Sequence, residues 1–266
     1  AVRNYSRLCL FLPRMNALKK IRISAVSYLN TLPFIYGMEQ HANFLAQVEI
    51  SRDIPSECAR KLIEGEVDLG LVPVAVIPQI KNAQIVSDYC IGAEGAVHSV
   101  LLVSEEPIEK IEKVYLDYQS RTSVQLCRLL LKHYWKQEVE FLPAQAGYET
   151  EIKGTTAGVI IGDRTFDLPK RLSYRYDLAE AWQNWQNLPF VFAAWVSNKA
   201  LPADFIQSFN QVLQFGLSHK QKAIQHYNLP FPSLELQTTY LDSYIQYELD
   251  EAKQKALREF LGLIKS

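Results

Sequence analysis

Apolar residues first gather in the run Ile21–Val26, which predicts a buried strand. The run ends in S-Y-L-N-T-L-P, residues 27–33. A second strand is expected over 46–51. Asp53-Ile54-Pro55 then opens a helix, with Asp53 as its cap and Pro in its first turn. Cys58, Ala59, Leu62 and Ile63 share one face of that helix, which stops near Gly65. Further strands are expected over 67–72, closed by Pro73, and over 85–87 and 96–104. This strand–helix–strand order predicts a mostly parallel sheet.

A second unit begins near Pro107 with a short strand over 114–116. Ser120-Arg121-Thr122-Ser123 opens a helix whose apolar residues include Val124, Leu126, Cys127, Leu130 and Leu131. Strands are expected over 139–142 and 157–161, and a helix over 178–185. The β-type run 190–196 carries the chain back towards the first unit. A helix over 205–217 follows. Leu249, Ala252, Ala256, Phe260 and Ile264, spaced by three and four, mark one face of a final helix.

Two α/β units and a helical tail predict a two-lobed binding-protein architecture with the ligand cleft between lobes. Residues 21–105 and 191–266 would form the first lobe and 106–190 the second, with 1–20 as a leader.

Composition narrows the class. The 266 residues are 48% apolar, enough for a large core, and the net charge of −1 comes with no basic stripe, so nucleic acid is not an expected partner. No segment approaches the roughly 18 apolar residues of a membrane helix. Cys9, Cys58, Cys90 and Cys127 form no CxxC pair, and the five histidines are scattered, so reduced thiols and no metal site are expected. The apolar run within residues 1–14 is too short for a signal peptide, Cys9 lacks the small residues that precede a lipidated cysteine, and Met15 is a plausible start. These features predict a cytoplasmic protein, monomeric or homodimeric.

Four segments offer chemistry to one cleft. Asn30-Thr31 follows a strand, where open α/β sheets bind ligands, although an Asx-turn ending at Pro33 is equally compatible. Asp68 lies at a strand start, where a turn or cap role is expected. In an alternating strand, Val97 and Ser99 would share one face and His98 the other, so Ser99 and His98 are poor partners. No G-x-S-x-G elbow or triad acid accompanies them. The hydroxyls of Ser120, Thr122 and Ser123 at a helix start suit a carboxylate, or serve as caps, and Arg121 adds a bidentate contact or lies in solvent. Asp163 and Arg164, at another strand end, can pair with each other. The cluster Trp182, Trp185, Phe190, Phe192 and Trp195 is expected in the core.

These segments in order, S-Y-L-N-T-L-P, D-I-P-S-E-C-A-R-K-L-I-E-G-E-V-D-L-G-L-V-P, G-A-V-H-S-V-L-L-V-S, S-R-T-S, I-I-G-D and L-P-F-V-F-A-A-W, resemble the chorismate dehydratase family of the futalosine route to menaquinone. The resemblance spans residue 21 to about residue 264. It implies an α/β, type II periplasmic-binding-protein-like fold working in the cytoplasm. It also implies that chorismate loses water to give 3-[(1-carboxyvinyl)oxy]benzoate without metal or organic cofactor. The family's active-site polar residues fall on Asn30 and Ser99, and Thr31, Ser120, Arg121, Thr122 and Ser123 become the substrate-binding set. The family's proposed base is the substrate's own enolpyruvyl carboxylate. Two positions depart from the family pattern: Gly95-Ala96-Val97 stands where Gly-Pro-Val is usual, and Gln186-Asn187 where Thr-Gly is.

Three alternatives accompany this resemblance: a non-catalytic solute-binding protein for a small carboxylate, a later enzyme of the same pathway with a different first-strand motif and a histidine base, and a ligand-sensing domain of a regulator, for which no helix-turn-helix precedes the lobes.

Overall fold

The computed structural model describes residues 20–265, so the expected leader, Cys9 and the start at Met15 lie outside the described residues. The first sheet takes β1 (Ile21–Val26), β2 (Val48–Asp53), β3 (Leu69–Pro73) and β4 (Gln84–Ala93). The chain then builds a second sheet from β5 (Val100–Ser104), β6 (Lys113–Leu116), β7 (Glu140–Pro143), β8 (Thr156–Ile161) and β9 (Tyr174–Asp177). It returns to the first with β10 (Phe190–Ser197) and β11 (Gln246–Glu248). The strand orders are β11-β4-β10-β3-β1-β2 and β7-β6-β8-β5-β9.

Both sheets are mixed, which corrects the expectation of a mostly parallel sheet. β1 runs parallel to β2 and β3, and β6 to β7 and β8, while β5, β9, β10 and β11 pair antiparallel. A crossover helix returns the chain to the end of the sheet it left, which makes neighbours parallel. β5 and β10 arrive directly from the opposite lobe instead. They enter at the cleft and run away from it. The strand over 100–104, expected in the first lobe, pairs with β8 and β9 and so belongs to the second sheet.

β3, β5 and β10 are buried along their whole length, as near-continuous apolar runs require. Edge strand β2 starts at Val48, set by the register Ile21↔Val48, because residues 42–45 form a short helix first. The helices used below are α1 (Leu32–Glu39), α2 (Ala42–Leu45), α3 (Pro55–Ile63), α4 (Thr122–Leu129), α5 (Leu178–Gln186), α6 (Ala203–Ser218), α7 (Lys220–Tyr227), α8 (Leu234–Thr239) and α9 (Glu251–Leu263). None is long and apolar enough to cross a membrane among the described residues.

Three local expectations change. Asp53 does not cap α3: Ile54 holds that position, with no side-chain bond. The Asp53 carboxylate instead accepts from the hydroxyls of Ser24 and Ser51 and from Lys61 Nζ at 2.7–2.8 Å. Burial alone would raise its pKa, but Lys61 and the two hydroxyls outweigh that and hold it below the ordinary range. Ile63 is exposed, since the buried face of α3 is Cys58, Ala59 and Leu62. On α9 the buried face is Lys253, Ala256, Leu257 and Phe260, while Ala252 is exposed and Leu249 precedes the helix. Asn187 ends α5 with φ of 54°, a left-handed position where glycine is usual and asparagine the common substitute. That accounts for one departure from the family pattern.

α1 and α6 meet backbone to backbone. A Cβ on Gly216 would lie 1.8 Å from the carbonyl oxygen of Pro33, and one on Gly37 would lie 2.0 Å from that of Val212. This contact seats α1, and with it the turn that carries Asn30.

Candidate functional site

β1 ends at Val26, and both the backbone N–H and the hydroxyl of Ser27 donate to the carbonyl of Asp53 at the end of β2. The chain then makes a 3₁₀ turn, Leu29–Thr31, and enters α1 with Pro33 in its first turn. The Asn30 side chain makes no Asx-turn bond. Its Oδ1 accepts from Thr31 Oγ1 at 3.1 Å and its Nδ2 donates to the hydroxyl of Tyr240 at 3.3 Å. Its backbone carbonyl accepts from Tyr247 at 2.9 Å.

Ser99 sits in a loop between β4 and β5, not in an alternating strand. The N–H groups of Val97 and His98 donate to the carboxylate of Asp177 at 2.9 and 2.7 Å instead of joining a ladder, and His98 takes a φ of 61°. The other oxygen of Asp177 caps α5 through Ala179 and Glu180. One carboxylate thus anchors the loop that delivers Ser99. His98 is exposed and lies against the ring of Tyr244, so it is not a partner of Ser99, as expected, though for a different backbone reason. Ser99 is 2% exposed, and its Oγ accepts from Tyr240 at 2.7 Å.

At the start of α4, Ser120 Oγ accepts from the N–H of Ser123 at 3.0 Å, a capping contact. Thr122 Oγ1 accepts from the N–H of Ala75 at 3.2 Å and so bridges the two lobes. Each hydroxyl still has its own hydrogen to donate. Arg121 is exposed and lines a separate outer groove with Arg60 and Arg128. As the residue before the helix, it projects away from its hydroxyl neighbours.

Asn30, Thr31, Ser99, Ser120, Thr122 and Ser123 line one interlobe cavity. Of the residues assigned from sequence, Arg121 alone is absent from it. Val26, Leu71, Ile91, Val97 and Phe192 supply apolar walls. The aromatic cluster is therefore divided: Trp182, Phe190 and Trp195 are core, while Phe192 faces the cleft. The lobes also touch through Ser56 N–H to the carbonyl of Gln119, and through the hydroxyl of Tyr28 to the side-chain oxygen of Gln119. Gly162 has a φ of 68°, and a Cβ there would meet the Tyr28 ring at 3.0 Å, so the β8 end can approach the first lobe only as glycine.

Asp163 and Arg164 do not pair. Arg164 is bound to Asp117 and Glu149. Asp163 accepts from the N–H of Leu29 at 3.3 Å, beside Asn30, and burial pushes its carboxyl up to about 6. The thiols of Cys58, Cys90 and Cys127 are unpaired and pushed up to about 12 by burial, which leaves them inert. The arrangement presents hydroxyl and amide donors from both lobes between apolar walls. It suits a small ligand rich in acceptor oxygens. No local signal in the sequence marks Tyr240, which lies 141 residues from Ser99.

A protein of Thermus thermophilus named chorismate dehydratase is 26% identical over 273 residues, covering 87% of this chain and 96% of that protein. A crystal structure of a protein from Archaeoglobus fulgidus superposes with a TM-score of 0.74 at 15% identity, covering 92% of this chain and 97% of that one. The alkanesulfonate-binding protein of Xanthomonas axonopodis pv. citri, solved with MOPS, gives 0.60 at 13% identity, with 92% and 91% covered. The periplasmic aliphatic sulphonate binding protein of Escherichia coli gives 0.57 at 13% identity and the same coverage. These structures share its fold: α/β, two-lobed, of the type II periplasmic-binding-protein kind. A family model described as menaquinone biosynthesis matches residues 21–266, and the chain belongs to that family.

Proposed function

We propose that this protein is a chorismate dehydratase, a cofactor-independent carbon–oxygen lyase. It would convert chorismate to 3-[(1-carboxyvinyl)oxy]benzoate as the first step of the futalosine route to menaquinone, in the cytoplasm. The observation that carries the reading is the meeting of Asn30, just after β1, and Ser99, on the loop that joins the two sheets, in one cleft of a menaquinone-biosynthesis family member. The similarity to the Thermus thermophilus protein supports it.

Chorismate is a dicarboxylate whose ring is one elimination from aromaticity. The hydrogen on the ether-bearing ring carbon and the neighbouring hydroxyl leave together as water. Aromatisation supplies much of the driving force, so a strong protein base is not needed. The substrate's enolpyruvyl carboxylate takes the ring proton, while Asn30 and Ser99 orient the substrate and donate to oxygens on which charge develops. The hydroxyls of Ser120, Thr122 and Ser123 hold the carboxylate ends, Thr31 steadies the Asn30 amide through its Oδ1, and closure of the lobes excludes water and strengthens each bond.

The test is incubation of pure protein, without added cofactor, with chorismate while following the ultraviolet absorbance of an aromatic product. Product formation at enzymatic rates is expected. The relation in fold to sulfonate-binding proteins favours a second reading, a non-catalytic binder of a small carboxylate. Tight chorismate binding with no product would establish that reading and overturn the first.

A further inference from the structure

We infer that Tyr240 is a positioning residue that bonds to Ser99 Oγ and leaves the Ser99 hydrogen free to donate towards the cleft. Tyr240 stands in a π-helical turn, Tyr240–Tyr244, that directly follows α8. Its side chain is fully buried, with the ring edge-on to Phe166. Its hydroxyl has two partners, Asn30 Nδ2 and Ser99 Oγ.

The direction of each bond follows from counting hydrogens. Asn30 Oδ1 is engaged by the Thr31 hydroxyl, which turns the amide so that its NH₂ faces Tyr240. An NH₂ group can only donate, so the phenol oxygen accepts there. The phenol hydrogen then has one acceptor among the described residues, Ser99 Oγ. Burial raises the Tyr240 pKa above its ordinary value, so the phenol keeps that hydrogen. One lone pair of Ser99 Oγ is occupied by that hydrogen, and the hydroxyl, which lines the cavity, keeps its own hydrogen to donate. Two links, from Asn30 to Tyr240 and from Tyr240 to Ser99, thus point the same way and polarise one another. The Ser99 hydrogen is therefore free for an acceptor on the ligand, a carboxylate, ether or hydroxyl oxygen.

This inference rests on the reading of the cleft as a dehydratase site. The test compares the wild-type protein, Tyr240→Phe, Ser99→Ala and the double variant. Readouts are kcat and KM for chorismate, and the affinity for isophthalate, a probe that needs no turnover. Tyr240→Phe is expected to lower kcat by roughly tenfold with a smaller change in KM, to weaken isophthalate by a similar factor, and to add nothing in the Ser99→Ala background. An equal loss in both backgrounds, or none in either, overturns the relay. Absence of chorismate turnover in wild type, together with the expected coupling in isophthalate binding, sinks the proposed reaction and leaves the relay standing. Full folding is checked by circular dichroism. Independently of that variant, the Tyr240 hydroxyl hydrogen, followed by NMR with labelled tyrosine, is expected to exchange slowly in wild type and faster in Ser99→Ala; fast exchange in wild type counts against the relay.

Discussion

Asp68 and Asp163 stand at strand ends in the two sheets and have opposite fates. Asp68 precedes β3, at the end remote from the cleft. It accepts from the backbone and guanidinium of Arg22 at 2.8–3.2 Å and pairs with Lys199 at 2.9 Å. Burial pushes its pKa up, but Arg22 and Lys199 outweigh that and hold it well below the ordinary carboxylate range. Asp163 follows β8 at the cleft. It is partly buried too, yet it has only the Leu29 N–H to oppose the rise to about 6. Folding matches charge with charge at the remote end. Beside the cleft it leaves the Asp163 carboxylate without a cation, and inside the cleft it leaves hydroxyl donors unmatched by the protein; those donors mark where a ligand belongs.

Five variants sharpen or break this contrast, from the strongest effect downwards. Replacing Ser99 or Asn30 by Ala removes a cleft donor. Chorismate turnover is expected to fall by about 10²–10³, or about 2.7–4 kcal/mol, with an unchanged circular dichroism spectrum. Turnover near wild type from the folded variants would place the chemistry elsewhere.

Asp68→Ala should do the reverse, costing stability and sparing turnover. The loss in urea unfolding is expected at about 2 kcal/mol, below the roughly 3–5 kcal/mol of a fully buried pair, because Arg22 and Lys199 keep water contact. The Asp68 pKa is depressed on folding. Its contribution is therefore present above the ordinary value of 3.8 and lost as pH falls through the lower folded value, so the variant and wild type converge in acid.

Asp163→Asn should show the opposite pH sign. Its carboxyl binds a proton more tightly when folded, so its stability contribution is full below the ordinary value of 3.8 and fades as pH rises towards about 6. The variant is expected to lack that slope in urea unfolding. In wild type the KM for dianionic chorismate should rise a few-fold as pH passes about 6, because an ionised Asp163 repels it, whereas the variant's profile stays flat. Parallel profiles would show that this charge is not felt in the cleft.

Arg121→Ala is expected to change least, within about 0.5 kcal/mol in stability and about twofold in turnover, since the side chain lies outside the cleft. A large rise in KM would return Arg121 to the substrate set.

Much of this arrangement was legible along the chain. The run Ile21–Val26 is β1, the run 190–196 is nearly all of β10, and α5 and α6 lie where periodicity puts them. β9, β11, α7 and α8 leave no readable pattern because they are short or mostly polar, so neither period emerges above noise. α1 was hidden by its nearly uniform burial, which erases the helical stripe. Asp53 illustrates a different limit. A local rule makes it a cap, but Lys61, Ser24 and Ser51 compete for the same carboxylate and win together.

Order along the chain was enough to bring Asn30 to the end of a buried strand and to set three hydroxyls at the start of a helix, because both are consequences of local periodicity and capping chemistry. The direction in which Arg121 projects, the isolation of Asp163 from Arg164, and the joining of Ser99 to Asn30 through Tyr240 are matters of the folded chain. They depend on antiparallel returns from the opposite lobe and on contacts 134 to 210 residues apart. No local rule acts over such separations; only packing of the completed core brings those groups within hydrogen-bonding distance.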